Sequence, residues 1–328
     1  MKRRAWLQAS LGLGGWGHLS SRAAASLHWK THTFTGLGTT LSIRAAHVDA
    51  MKLEHALMAA RAMVNHVEDH MSLFRSDSAV SQLNKDGELL YPHEDLLQIL
   101  QMSQRIASRS QGAFDITVQP LWALYAQTQK QKRLPTPTEI HVVRQRVGWH
   151  NLYISARRIA LIKSGMGITL NGIAQGYASD RVREVLKRHG VAHALINTGE
   201  WSSLGQAEEG RGWTLGIADP HQAARVLALV RLQGLCAATS ADDQCSFSAD
   251  RQHHHILNPA TGYSPRDISS VTVIAKSCTQ ADALTKVLFV GGYDNALRLA
   301  QAWRVEALVV HKNGHWKTTP KLSQQLLG

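Results

Sequence analysis

The chain has 328 residues, of which 44% are hydrophobic and 18% are charged, and this composition excludes a disordered polypeptide. No run reaches the roughly 18 apolar residues that a membrane-spanning helix needs, and the 3 cysteines are too few for a disulfide framework in a chain of this length. A net charge of +12 favours anionic ligands, but no CxxC finger, arginine-rich run or recognisable nucleic-acid module accompanies it. We therefore expect an ordinary globular protein without a nucleic-acid partner.

The first 25 residues have the pattern of an export signal. Arg3-Arg4 stands near the start, a weakly apolar and glycine-rich stretch follows, and Ala23-Ala24-Ala25 offers a small-residue cleavage site. We expect residues 1–25 to be a cleaved signal of the twin-arginine type and residues 26–328 to form one periplasmic domain. The alternative is a cytosolic chain with a basic tail.

The first half of the mature chain combines one hairpin with long helices. Residues 33–45 read as a strand or hairpin with glycines at its bend. Asp49 is placed to cap an amphipathic helix that ends near Met71, and a second helix is expected between Pro92 and Gly112. Residues 121–140 read as an irregular connection, before a third helix from about 173 to 189.

The second half is rich in strands. They are expected within 193–199, 213–220, 225–234, 253–259 and 269–275. Two helices at roughly 280–290 and 294–303 come next, and a final strand enters a turn at Asn313-Gly314. Clustered strands with flanking helices, without regular βαβ alternation, predict an α+β fold.

Several polar residues stand among glycines and resist a purely structural interpretation. Asp115 lies between Phe114 and Ile116, where a buried acid would need a partner. The stretch "NGIAQG" (171–176) opens a helix and could offer its N–H groups to a phosphate, although an ordinary turn is the alternative. The run His253-His254-His255 suggests zinc, but alternation along a strand would bring only the first and third together, and no matching acid or cysteine stands nearby.

The order of these motifs resembles that of the FAD:protein FMN transferase family, also called the ApbE family. The similar segments are 71–84, 112–121, 168–182, 194–200, 213–220, 238–244, 253–265 and 269–292. The resemblance implies a T-fold-like α+β domain that holds FAD in a cleft with Mg²⁺. Such enzymes transfer the FMN half of FAD to a serine or threonine hydroxyl of a target redox protein and release AMP.

The resemblance also implies roles for individual residues. The expected cofactor contacts are Phe74, Asp115, Gly172, Gln175, Tyr177, Thr239, Ser240 and His255. The turn from Gly172 to Tyr177 would hold the pyrophosphate, and the carbonyl of Ala174 would face the metal. His255 would be the catalytic base for the incoming hydroxyl, because a neutral imidazole near pH 7 suits that task. Its alternative is a histidine that fixes the turn at Asn258-Pro259.

The metal site departs from the family pattern. Asp282 occupies the position of a metal-binding aspartate, but Lys286 stands where the family has a second ligand, a threonine, and an ammonium group cannot ligate Mg²⁺. Two interpretations remain: an i,i+4 ion pair on a solvated helix face, or a lysine that replaces part of the metal's charge.

Other positions depart from the family as well. Gln175 replaces a lysine and Glu200 replaces a glycine, and both changes disfavour a bound pyrophosphate. The sequence therefore predicts a divergent transferase. A flavin-binding protein without transferase activity, or an FAD pyrophosphatase, stays as the alternative.

Overall fold

The computed structural model describes residues 26–222 and 224–327, so the predicted export signal lies outside the described residues. The helices of the described chain are α1 (Ala50–Met71), α2 (Ala79–Asp86), α3 (Glu94–Arg109), α4 (Gln119–Lys130), α5 (Pro137–Arg144), α6 (Ala174–Arg188), α7 (Cys278–Gly291), α8 (Tyr293–Trp303) and α9 (Pro320–Ser323). None of these is both long enough and apolar enough to cross a bilayer.

The strands of the same residues form one large and two small antiparallel sheets. They are β1 (His28–Gly36), β2 (Thr39–His47), β3 (Glu88–Leu90), β4 (Leu152–Ile154), β5 (Arg158–Leu161), β6 (His193–Asn197), β7 (Trp201–Leu204), β8 (Trp213–Ala218), β9 (Val226–Leu232), β10 (Cys236–Ala241), β11 (Ile268–Ala275), β12 (Glu306–His311), β13 (Trp316–Thr318) and β14 (Leu326–Leu327). The large sheet has the order β1-β2-β6-β7-β10-β11-β12-β13, and the small ones are β14-β9-β8 and β3-β5-β4. The predicted α+β class is confirmed.

The large sheet separates two apolar layers. On one face α6 packs between α1 and α7, and buried residues such as Leu57, Tyr177 and Phe289 form the core under these helices. On the other face Trp213 and Val230 of the small β8–β9 pair meet Leu308 of β12. Because α6 lies at the centre of the helical layer, its N-terminus is held from both sides.

Most of the predicted elements are present. The hairpin expected within 33–45 is β1–β2, and Asp49 caps α1 by accepting hydrogen bonds from the N–H groups of Met51 and Lys52 at 2.9 and 3.1 Å. The apolar positions predicted for that helix, from Leu53 to Met71, are buried. The three- to four-residue spacing of apolar residues predicted the buried face correctly, because one face of α1 packs against the core along its whole length.

The irregular connection expected at 121–140 is wrong, because α4 and α5 occupy most of it. Pro120 stands in the first turn of α4, where its missing N–H costs nothing. Thr136 and Glu139 form a reciprocal capping box at the start of α5. Pro120 and the Thr136–Glu139 capping box are both helix-start signals in the sequence. The surrounding glutamines and prolines led to the segment being interpreted as a connection.

The strand expected at 253–259 is also wrong. His254 forms a single isolated bridge with Ser246, and its N–H donates to the hydroxyl of Ser264 at 2.9 Å instead of to a neighbouring strand. His254 is fully buried and its two neighbouring histidines are half-buried, but among the described residues this segment has no ladder pairing beyond that one bridge. The segment is a loop that closes on itself through side chains.

Candidate active site

The N-terminus of α6 lies directly against α7. The backbone N–H of Gly176 donates to Oδ2 of Asp282 at 3.0 Å. A Cβ atom on Gly176 would lie 2.4 Å from the carbonyl oxygen of Cys278, which is closer than any side chain permits. Glycine at this position therefore allows the two helices to approach until the buried Asp282 carboxylate reaches the positive end of α6.

Asp180, one turn further along α6, fixes the start of α7. Its carboxylate accepts hydrogen bonds from the N–H groups of Cys278 and Thr279, both at 2.9 Å, and from the hydroxyl of Ser277 at 2.7 Å. These are N–H groups that the first turn of a helix leaves without internal partners. Asp180 thus sets the position of α7 against α6, and with it the position of Asp282 opposite Gly176.

Lys286, one turn further along α7, forms an ion pair with Asp282. Its Nζ lies 2.5 Å from Oδ1 of Asp282 and 3.1 Å from the carbonyl oxygen of the same residue. The Asp282 side chain is 2% exposed and that of Lys286 is 20% exposed, so the solvated-face interpretation of this pair is wrong. The Lys286 stem lies 3.2 Å from the position that a Cβ of Gly172 would take. The pair is therefore a shielded ion pair beside the predicted pyrophosphate turn.

The residues present do not fit a Mg²⁺ ion held by Asp282 and a side chain four residues later. One oxygen of Asp282 accepts from Gly176 and the other from Lys286. Thr285 is no substitute ligand, because its hydroxyl donates to the Asp282 carbonyl at 2.6 Å and lies 2.7 Å from the Ser240 hydroxyl. The cation that faces this carboxylate is the lysine ammonium.

His255 has the tautomer that a general base needs. Its Nδ1 lies 3.1 Å from the carbonyl oxygen of Cys245, and since a carbonyl only accepts, Nδ1 carries the proton and Nε2 the free electron pair. Burial lowers the pKa of His255, and the positive charge of Lys286 lowers it further. The turn at Asn258 is closed by Asn258 itself, whose N–H donates to Tyr263 at 2.8 Å and whose side chain accepts from Ala260 at 2.9 Å. The ring of His255 is therefore not what holds that turn.

Thr239 and Ser240, on β10, are tied into the protein on both sides. The Thr239 hydroxyl lies 2.9 Å from that of Thr272, and its N–H donates to Oε2 of Glu200 at 3.0 Å. Glu200 is 6% exposed. The carboxylate that replaces the family's glycine thus serves the backbone of β10, and the predicted flavin contacts of Thr239 and Ser240 stay predictions.

Phe74 and Gln175 each contact the β1–β2 turn. Phe74 is 74% exposed, which is unusual for a phenylalanine, and its ring lies 3.8 Å from the position of a Cβ on Gly38. Gln175 reaches the carbonyl of Leu37 in the same turn at 3.4 Å. An exposed aromatic ring close to the start of α6 is available for stacking on a planar ligand.

Asp115 is buried and has partners within the protein. Oδ1 accepts from the N–H and hydroxyl of Thr117 at 2.8 and 2.7 Å, and Oδ2 accepts from the N–H of Trp149 at 2.9 Å. Burial raises the pKa of Asp115, although these hydrogen bonds act against the shift. The acid that the sequence marked as needing a partner anchors the loop before α4, and its contact with a nucleotide stays a prediction.

Tyr177 also uses its polar atom internally, since its hydroxyl donates to Asp95 on α3. The structure thus places Gly172, Gly176, Asp282 and Lys286 together at the start of α6, with His255 within electrostatic range of Lys286. It directs the Tyr177 hydroxyl elsewhere. Ala174 is the first residue of α6, and the metal contact predicted for its carbonyl stays untested.

Comparison with known proteins identifies the family to which the chain belongs. The ApbE family model matches residues 37–309. A FAD:protein FMN transferase of Vibrio cholerae is 28% identical over 258 residues, which are 76% of this chain and 77% of the relative. The ApbE crystal structures of Thermotoga maritima and of Pseudomonas stutzeri, the latter a flavinyl transferase in its apo form, superpose with TM-scores of 0.83 and 0.81. Both are 26% identical and cover 92% of this chain, and the alignments span 100% and 98% of the respective crystal chains. The chain therefore belongs to the ApbE family.

Proposed function

We propose that this protein transfers the FMN half of FAD to a serine or threonine hydroxyl of a target redox protein and releases AMP. The relatives named FAD:protein FMN transferase support the reaction class. The observation that carries the proposal for this chain is His255, whose Nδ1–H is fixed on Cys245 so that Nε2 is left free to take a proton. Its lowered pKa keeps the ring neutral near pH 7.

The proposed reaction is a displacement at the phosphorus of the FMN phosphate. The target hydroxyl gives its proton to Nε2 of His255, and its oxygen forms a new bond to that phosphorus. The bond to the bridging oxygen of the pyrophosphate breaks, and the oxygen leaves with AMP. Negative charge grows on the departing phosphate, and a fixed positive charge nearby lowers the barrier.

We propose that Lys286 supplies part of this charge, in place of the Mg²⁺ that the family resemblance implies. Its side-chain stem lies beside Gly172, in the predicted pyrophosphate turn, and the nearby N-terminus of α6 adds the positive end of a helix dipole. Asp282 holds the ammonium in place through a 2.5 Å contact. No step of the proposed reaction then requires a metal.

The compartment and the partner form part of the same proposal. The Arg3-Arg4 start and the Ala23-Ala24-Ala25 site support export of the chain to the periplasm, where it would modify a redox protein that presents a serine or threonine. A flavin-binding protein without transferase activity and an FAD pyrophosphatase are the other outcomes that the experiment below distinguishes.

The experiment measures AMP released from FAD, together with the mass of a serine- or threonine-bearing flavin-acceptor domain, with Mg²⁺ and with a chelator. The proposal expects AMP and an FMN-sized mass gain in equal amounts. AMP without a mass gain would indicate a pyrophosphatase, and bound flavin without AMP would indicate a binding protein. His255→Ala should abolish AMP release, whereas the matched control His253→Ala, two residues away in the same loop, should keep it.

A further inference from the structure

Three histidines form a cluster on the side of α6 away from α7. His66 and His70 lie one turn apart on α1, and His93 caps the start of α3. The centroids of each pair of rings are 4.6 Å apart, and one ligand atom from each ring lies within 4.8 Å of the other two. In the described part of the chain this is the one group of histidine, cysteine and acidic side chains arranged so.

We propose that His66, His70 and His93 bind a zinc-like divalent transition metal ion, with Asp95 orienting the ligands. Zn²⁺ prefers imidazole nitrogens in a tetrahedral arrangement, whereas Mg²⁺ prefers oxygen ligands. At Zn–N distances of about 2.0–2.1 Å, two ligand nitrogens are about 3.3 Å apart. The present separations of up to 4.8 Å would have to shorten by about 1.5 Å on binding, at two half-buried side chains and one exposed one.

Metal-binding histidines commonly donate a hydrogen bond from the ring nitrogen that does not bind the metal, and Asp95 can accept this bond from His66. It lies 2.9 Å from Nε2 of His66, and since a carboxylate accepts, that nitrogen carries the proton and Nδ1 keeps its electron pair. The Tyr177 hydroxyl also donates to this carboxylate, and Arg181 lies 3.3 Å from it. The charge of Asp95 makes the His66 ring more basic toward a metal.

His93 contacts Asp95 in a different way, because it accepts from the backbone of that residue. Its Nδ1 accepts from the N–H of Asp95 at 3.1 Å and lies 3.7 Å from the Asp95 carboxylate. Binding of a metal by Nε2 would move the ring proton to Nδ1, which ends the capping hydrogen bond from the Asp95 N–H and leaves the Asp95 carboxylate, 3.7 Å away, as the acceptor for Nδ1–H. His70 makes the third ligand, one turn along α1 from His66. Neutral rings are the form that a metal requires.

The site would join three helices. His66 and His70 belong to α1, His93 and Asp95 to the start of α3, and Asp95 contacts Tyr177 and Arg181 of α6, the latter at 3.3 Å. A bound ion would therefore stabilise the packing of α1, α3 and α6. This inference is independent of the proposed transferase reaction, because binding and stability can be measured without FAD.

The test is a competition titration of Zn²⁺ against a chromophoric chelator, with the full chain produced without a histidine tag and with Mg²⁺ in large excess. One Zn²⁺ per chain is expected, together with a rise in the melting temperature. His70→Ala and His93→Ala should lose both effects and keep the fold of the metal-free protein. His55→Ala, at an exposed position of α1, should keep both the zinc binding and the rise in melting temperature. Asp95→Asn should weaken zinc binding by about 10–100-fold.

Absence of stoichiometric binding would overturn the proposal. So would binding that survives both His70→Ala and His93→Ala, since the ion would then be held elsewhere, for example by His255 and Asp282. Retention of the melting-temperature rise in these variants would have the same meaning. AMP release does not enter any of these readouts, so failure of the zinc site and failure of the transferase reaction are distinguishable.

Discussion

Gly176→Ala tests whether α6 and α7 are as close as the structure shows. The added Cβ would lie 2.4 Å from the carbonyl oxygen of Cys278 and 2.8 Å from Cβ of Asp282. The Cys278 carbonyl is part of the helix backbone and cannot rotate away as the end of a side chain can. Helices α6 and α7 must therefore separate. That separation also breaks the 3.0 Å hydrogen bond from Gly176 to the buried carboxylate of Asp282.

The expected cost follows from three contributions. Overpacking costs about 1–3 kcal/mol, and loss of a hydrogen bond to a charged group costs about 1.5–3 kcal/mol. The better helix propensity of alanine returns about 1 kcal/mol. We expect Gly176→Ala to lower the free energy of unfolding by roughly 1.5–5 kcal/mol, measured as a lower urea midpoint at unchanged slope.

The matched control is Gly167→Ala. A Cβ there would lie 3.5 Å from Asn84 and from Gln119, which is ordinary contact, and its backbone is outside the left-handed region. The change should alter stability by less than about 1 kcal/mol. If Gly176→Ala instead stabilised the protein by about 1 kcal/mol, as in the middle of an isolated helix, the close approach of α6 and α7 would be refuted.

Three further predictions concern charge and protonation. Lys286→Thr restores the family's ligand, so AMP release by this variant should depend on Mg²⁺. AMP release by the wild type should be unchanged by a chelator. An equal response of both proteins to the chelator would contradict the role given to Lys286. Because burial lowers the pKa of His255, AMP release should persist below pH 6.5 and fall only at more acidic pH, and a rate that already halves above pH 6.5 would oppose its role as base. Burial lowers the pKa of His254 to about 4, so the stability that its neutral form contributes is complete above pH 6.5 and is lost as the pH falls toward 4, up to about 3 kcal/mol. Urea unfolding at each pH should show a shallower acid loss in His254→Gln, and equal slopes would show that this ring does not titrate as described.

The parts of the site that could be predicted are those whose partners are close in sequence. Asp282 and Lys286 are four residues apart, so a helix brings them together whatever the rest of the chain does. Asp49 needs only the next three residues to cap α1. The pattern nevertheless left two interpretations of Lys286, because exposure depends on what packs over α7 and is not contained in the spacing.

The parts that escaped prediction depend on distant partners. Asp180 contacts Ser277 across 97 positions, and Thr239 reaches Glu200 across 39. Neither acid has a local signal that distinguishes it from a surface residue, and Glu200 was even interpreted as an unfavourable charge near the pyrophosphate. His66 and His70 did have a signal, the i,i+4 spacing on one helix face, but their third member comes from another helix. The run of three histidines at 253–255 suggested zinc in the sequence, but strand alternation and the lack of a nearby acid or cysteine already argued against a site there.

Helix α6 links the two sites through two neighbouring faces. Gly176 and Asp180 are four residues apart and both contact α7. Gly176 donates to the Asp282 carboxylate, and Asp180 accepts from the first turn of that helix. Tyr177 and Arg181 are also four residues apart, one position further round, and both serve Asp95. Each pair occupies one face of the helix because residues i and i+4 stack above one another. A rotation or slide of α6 would break both sets of contacts together, so the position of its N-terminus beside Lys286 is determined by Asp95 on one side and by α7 on the other.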